Sequence, residues 1–178
     1  SSSLDNKPTT SEMLFTPYDK LLEAGFDGYY GRYSQLCNWH TSKDLLNSVN
    51  EDITVISKYP DKKAVLGNFA THDQISPILV NGPQYSKMII WLNATLPLNA
   101  YFVDGFVTGD DYIYPLANKK ALKTYTDDDY YFVHRGQLDI FNYSRKSQGK
   151  HYDIMQDFLY ASRFKKLFND LVSSGSYI

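Results

Sequence analysis

Cysteine is nearly missing from this 178-residue sequence. Cys37 stands alone, so no disulfide can form within the chain. At this length one domain with a real core needs no covalent staple. Surplus charge is missing too. The formal net charge is −2, whereas a duplex nucleic-acid binder normally carries a basic excess, so no nucleic-acid partner is expected. The longest apolar stretches, such as Met88–Leu92, are far too short to cross a bilayer, and no membrane partner is expected. Residues 1–12 are polar and lack the apolar segment of a secretory signal, which leaves the address open with the cytoplasm as default. No glycine-rich phosphate loop of the GxGxxG or Walker type is found, which disfavours a nucleotide fold, and no cofactor is expected. Metal-ligand spacing is also lacking: His40, His134 and His151 are scattered, and Asp127-Asp128-Asp129 cannot all face one ion.

Aromatics are what the chain has in quantity. Sixteen Tyr, ten Phe and two Trp bring them to 16%. Tyrosine joins a flat apolar face to a polar tip, which suits a surface that stacks on sugars and hydrogen-bonds them. A tyrosine-heavy core and rim would account for the same composition.

The pattern along the chain alternates. Lys7–Phe15 reads as a strand ended by Thr16-Pro17, and a short helix over Tyr18–Ala24 stops at Gly25. Phe26–Tyr30 is a second strand candidate. A helix opens at Thr41-Ser42, repeats apolar residues at Leu45, Leu46, Val49, Ile53, Val55 and Ile56, and ends at Tyr59-Pro60. Lys63–Ala70 has the near-continuous apolar look of a strand buried on both faces. A helix from about Pro83 to Leu96 and a buried strand over Asn99–Val103 follow. Asp104–Asp129 reads as loop, Tyr130–Asn142 as a hairpin, and Lys150–Val172 as a last helix. Its inward residues are expected to be Ile154, Met155, Phe158, Leu159, Phe164, Leu167, Phe168 and Leu171.

Four strand–helix alternations predict parallel strands with right-handed helical crossovers. The expected fold class is α/β, a partial (β/α)8 TIM barrel of about four βα units. Residues 1–178 form a single domain in this reading, with a long loop or hairpin excursion over 104–150 between the last strand and the last helix.

The run Lys63–Ala70 leads into Thr71-His72-Asp73. Reactive groups of a barrel sit at the C-terminal ends of its strands. The residues alone leave two readings open: His72 and Asp73 both hydrogen-bond a polar ligand, or Asp73 caps a helix while His72 rests at the surface. Glu12 lies 61 residues earlier, also in a strand candidate. Two carboxylates brought to one barrel mouth suit glycoside cleavage, one as acid at the departing oxygen and one opposing oxocarbenium charge. Alone, a glutamate such as Glu12 is more often just an exposed side chain. Tyr29, Tyr30, Tyr33 and Trp39 follow the second strand and suit either a sugar platform or packing. Trp91 is expected in the core. Asn93-Ala94-Thr95 and Asn142-Tyr143-Ser144 match the glycosylation pattern.

Gly67-Asn68-Phe69-Ala70-Thr71-His72-Asp73 resembles the strand-7 signature of the α-amylase superfamily, glycoside hydrolase family 13, an apolar run ending Asn-His-Asp; Thr71 replaces the usual Asn. Thr10–Phe15 resembles the family's strand 5, and Pro97–Gly105 its strand 8, with Asp104-Gly105-Phe106 in place of the common acidic ending. Lys165–Tyr177 resembles the eighth barrel helix. The resemblance implies a chain spanning strands 5 to 8 and binding an α-linked oligosaccharide or polysaccharide. Glu12 would be the general acid/base, Asp73 the transition-state stabiliser, and His72 a hydrogen-bonding partner of the same sugar. The family's nucleophilic aspartate lies on strand 4 and has no counterpart here. The implied function is therefore part of an α-amylase-type hydrolase or transglycosylase acting on α-glucans or maltooligosaccharides and inactive alone. A half barrel leaves open edges, so self-association or pairing with the missing half is expected. The alternatives are a non-catalytic sugar-binding member of the same fold and an independent α/β interaction domain.

Overall fold

A computed structural model of the chain describes residues 7–13, 15–33, 41–59, 63–71, 77–102, 104–107, 109 and 152–174. Four strands form one parallel sheet in sequence order: β1 (Thr10–Ser11), β2 (Gly28–Tyr30), β3 (Ala64–Gly67) and β4 (Asn99–Ala100). Helix α1 (Tyr18–Glu23) links β1 to β2, α2 (Ser42–Ile56) links β2 to β3, and α3 (Pro77–Thr95) links β3 to β4. After β4 come α4 (Asp104–Val107), α5 (Tyr152–Leu167) and α6 (Asn169–Ser174). The α/β alternation matches the sequence pattern.

Successive residues of a strand face opposite sides of the sheet. Tyr29 stacks on Tyr18 of α1, centroids 3.9 Å apart, and donates to Asp52 of α2. Val65, its register partner, is buried beside it. Two residues on, a Cβ added at Gly67 would run into Asn93 of α3. Helices α1, α2 and α3 therefore cover one face. That is the outcome when same-handed crossovers join strands kept in sequence order. Tyr30, Leu66 and Asn99 are matched in register, one step out of phase, and turn to the other face.

Local chemistry explains the helix bounds. Thr41 Oγ1 accepts from Asp44 N at 3.2 Å while Asp44 Oδ2 accepts from Thr41 N at 2.8 Å, a reciprocal cap that starts α2. In α3 the backbone leaves helical geometry at Asn81 and Gly82, where Gly82 takes φ 77°, and Pro83 reopens the helix. The sequence placed the helix start at this second piece and missed the turn before it. Lys165 of α5 reaches back to the far end of α3, donating to the carbonyls of Asn93 (2.8 Å) and Leu98 (2.5 Å). Lys87 of α3 pairs with Asp153 at 2.7 Å and Asp157 at 3.3 Å, and Trp91 Nε1 donates to Asp157 at 2.8 Å. Trp91 is thus half-buried, packed against the core with its polar edge satisfied.

Several expectations need correction. β1 covers only two residues of the predicted Lys7–Phe15, because Ser11 Oγ accepts from Met13 N (3.3 Å) and Met13 O from Thr16 N (3.1 Å), turning the chain. β4 is likewise short, and Asn99 and Ala100 are exposed rather than buried. Asp104 begins a helical turn where loop was expected. In the last helices Ile154 is fully buried, but Leu159, Leu167, Phe168 and Leu171 are exposed. The helix breaks at Phe168 between α5 and α6; Leu159 and Leu167 are already exposed before the break, and after it Leu171 faces out while Val172 is buried. Asn93 is buried, with its amide nitrogen donating to Ile89 O at 3.2 Å, so this glycosylation match is inaccessible in the fold. The predicted hairpin over 130–142, Asn142 and the excursion beyond 109 lie outside the described residues. No helix among the described residues is long and apolar enough to cross a membrane.

Candidate functional site at the C-terminal edge of the sheet

All four strands run the same way, so their C-terminal ends share one edge. Glu12 directly follows β1, Tyr30 ends β2, residues 68–71 follow β3, and Tyr101 directly follows β4. Tyr101 is two residues past Asn99 and continues the face opposite α1, α2 and α3. There it meets Tyr30 edge-on, centroids 5.3 Å apart and planes at 66°. Burial pushes the Tyr30 phenol up to about 12, with a hydrogen bond to Tyr101 and the charges of Tyr101 and Glu12 adding to the rise. Glu12 itself is exposed. Glu12 and Tyr30, both singled out from sequence, are therefore brought together, and Tyr101 joins them.

Beyond β3 the backbone tightens: Asn68 N donates to Leu66 O at 2.9 Å and Phe69 N to Gly67 O at 3.0 Å. Asn68 is fully buried, and its side-chain amide has no partner among the described residues. Buried amides without a partner are rare, and one at a strand end marks a position that a polar group can complete. His72, Asp73 and Trp39 lie outside the described residues.

Tyr29 belongs elsewhere. It is fully buried on the helix face, so it is part of the support behind the edge and its ring is closed to a ligand. Its hydroxyl donates to Asp52 Oδ1 at 3.0 Å, and the Tyr33 hydroxyl donates to Oδ2 of the same carboxyl. Tyr33 also stacks on Phe69, centroids 4.8 Å apart. Burial pushes the Asp52 carboxyl up to about 7, against the pull of the Tyr33 and Tyr29 hydroxyls; Glu51 adds to the rise and Arg32 opposes it. Burial and the adjoining Asp52 charge raise both phenols. Arg32 lies over the Tyr18 ring, 4.6 Å from its centroid, and faces Glu51 at 3.5 Å. Sequence reasoning missed Asp52, although an acidic residue three places from both Val49 and Val55 on an apolar stripe was a visible signal.

Among the described residues no group of three His, Cys, Asp or Glu side chains is arranged to hold a metal. A cavity of about 30 Å³ beside Lys165, lined by Asn93, Phe102 and Phe158 among others, has room for water but not for a sugar ring. No protein family, curated protein or solved structure matches the chain.

Proposed function

We propose that the chain is the strand-5-to-strand-8 part of an α-amylase-type (β/α)8 barrel and that its strand-end edge grips an α-linked glucan. The observation that carries this reading is the parallel sheet in sequence order, with helices on one face and with Glu12, Tyr30 and Tyr101 gathered at its C-terminal edge. A singly wound sheet of this kind is how a barrel wall is built, and its C-terminal edge is where barrel chemistry resides. The resemblance of residues 67–73 to the strand-7 signature supplies the substrate class.

In this reading Glu12 is the general acid/base, Asp73 opposes oxocarbenium charge, and His72 hydrogen-bonds the same sugar. Tyr30 and Trp39 offer flat faces for stacking. Retaining cleavage needs a nucleophilic carboxylate about 5–5.5 Å from the acid, and the family's nucleophile has no counterpart in these 178 residues. The chain alone binds without cleaving.

Titration calorimetry with maltoheptaose tests the reading. Binding is expected, Glu12→Gln and Tyr30→Ala each weakening it by roughly tenfold, the equivalent of about 1.4 kcal/mol. Cellohexaose, the β-linked counterpart, is expected to give no heat. Absence of maltoheptaose binding, or equal binding of the two sugars, would overturn the assignment.

The edges carry a second expectation. β1 and β4 each have one neighbour in the described sheet, and Met13 (60%) and Phe15 (85%) are exposed just beyond β1. Unpaired edges beside apolar groups invite association. The isolated chain is expected to dimerise or form larger species at micromolar concentration by light scattering. A monodisperse monomer would count against an open barrel wall.

A further inference from the structure

Tyr30 reaches the sheet edge as the first link of a short arch whose two ends are tied to one group. Tyr29, the residue before it, donates to Asp52 Oδ1, and Tyr33, three residues after it, donates to Asp52 Oδ2. All three side chains are at least 98% buried. Between the ties, Gly31 N donates to Leu66 O at 3.0 Å, and Ser48 Oγ donates to Arg32 O at 3.5 Å. Tyr30 is thus held in register with Leu66 and braced from behind, through Tyr29 and Tyr33, by a helix residue.

From this geometry we infer that Asp52 is a proton-controlled positioning residue for the Tyr30 edge. The inference rests on the proposed reading of Tyr30 as part of a sugar site. The chemistry follows from counting hydrogens. As a carboxylate, Asp52 has only acceptors, and both tyrosines donate to it. Once protonated on Oδ2, it donates to the Tyr33 oxygen, and the Tyr33 hydrogen loses its acceptor in a buried setting. One tie then changes direction while the other stays. The proton is exchanged with solvent; no other group changes charge.

Among the described residues the titratable and charged neighbours are Tyr18 of α1, Tyr29 of β2, Arg32 and Tyr33 after β2, and Glu51 on α2 itself. From the β3 side Phe69 packs on Tyr33 and carries no charge. The Tyr29 and Tyr33 phenols stay neutral well above pH 8, because burial raises them. Asp52, which burial raises to about 7, titrates near neutrality.

The test uses the full chain with ¹³C-labelled aspartate and tyrosine, observed by NMR from pH 5 to pH 9. The expected result is that the Tyr30 ring signals move with the same midpoint as the Asp52 carboxyl. In Asp52→Asn those signals should become flat with pH. In Tyr33→Phe, which keeps Asp52 and its bond to Tyr29, the carboxyl should still titrate while Tyr30 no longer follows. Maltoheptaose affinity, measured in parallel, should rise roughly fivefold or more from pH 6 to pH 8 in the unmodified chain and stay constant in the variants. Tyr30 signals that ignore the Asp52 titration, or that still follow pH in a folded variant, would overturn the inference. Failure of maltoheptaose to bind at any pH would overturn the sugar reading, while the Tyr30 signals would still decide the role of Asp52.

Discussion

An Asp52→Ala chain is expected to lose about 2–4 kcal/mol of stability at pH 5, because two fully buried phenols are left without their hydrogen-bond partner, a penalty of roughly 1–3 kcal/mol each. Some of the loss is recovered as the emptied space relaxes, which keeps the total below the simple sum. Urea unfolding followed by tyrosine fluorescence measures it, and a loss under 1 kcal/mol would show that the two ties are not a structural support. The same carboxyl has a signature in pH. Burial lifts Asp52 to about 7 in the folded chain, against roughly 4 when unfolded. Between those values the folded state holds one more proton than the unfolded state. Its stabilising contribution is full below about pH 4 and is lost as pH rises through about 7. The slope is roughly 1.4 kcal/mol per pH unit within the window, and in Asp52→Asn this component should vanish. A carboxylate held by an ion pair would give the opposite slope, so the sign alone separates the two cases.

Gly28→Ala is expected to be comparably severe for a different reason. A Cβ at this position would lie 2.7 Å from the carbonyl oxygen of Ala64 and 3.3 Å from its Cβ. Both atoms belong to β3, paired with β2 through Gly28↔Ala64. The obstacle is backbone, so the added methyl can be housed only by prising two strands apart. Overpacking of this kind costs about 3 kcal/mol or more. Gly25→Ala is the natural control. Gly25 has φ 97° but nothing within 4 Å of an added Cβ, so only backbone strain applies, about 1 kcal/mol. Thermal unfolding of the two variants should rank Gly28 well below Gly25; equal melting temperatures would contradict the close approach of β2 to β3.

The contrast between these sites shows what was legible in the amino-acid order. Local signals read well: the Thr41–Asp44 cap, the apolar run of β3 and the restart at Pro83 all depend on neighbours within a few residues. Strand lengths read poorly. The end of β1 depends on a turn made by Ser11, and nothing in an alternating run announces that a hydroxyl will fold back on the chain. The outward faces of α5 and α6 were missed because helical spacing fixes which residues share a side, not which side finds a partner. At the edge, Glu12 was singled out as a carboxylate within the first strand candidate, and Tyr30 as one of the aromatics around the end of the second. Tyr29 was misplaced because period-two alternation puts adjacent tyrosines on opposite faces, and sequence alone does not say which face the helices take. Asp52 was invisible as a partner, since its two tyrosines lie 19 and 23 residues away. His72 and Asp73, the residues behind the family resemblance, lie outside the described residues, so their role rests on sequence similarity.

The grip of Lys165 on the end of α3 has a consequence for the order of folding. Contacts among β1, α1, β2, α2 and β3 join residues mostly 18 to 40 positions apart, as in Thr9 with Asp27 or Tyr59 with Asp19. The Lys165 bonds span 72 and 67 positions. Closing a longer loop adds entropy only slowly with length, but contacts of large separation form late because nearer ones must first define the surface they dock on. The part from β1 to β3 is therefore expected to assemble first, with α5 docking afterwards as a clasp. A chain caught before that step would show the carbonyls of Asn93 and Leu98 to water, with the sheet already in place.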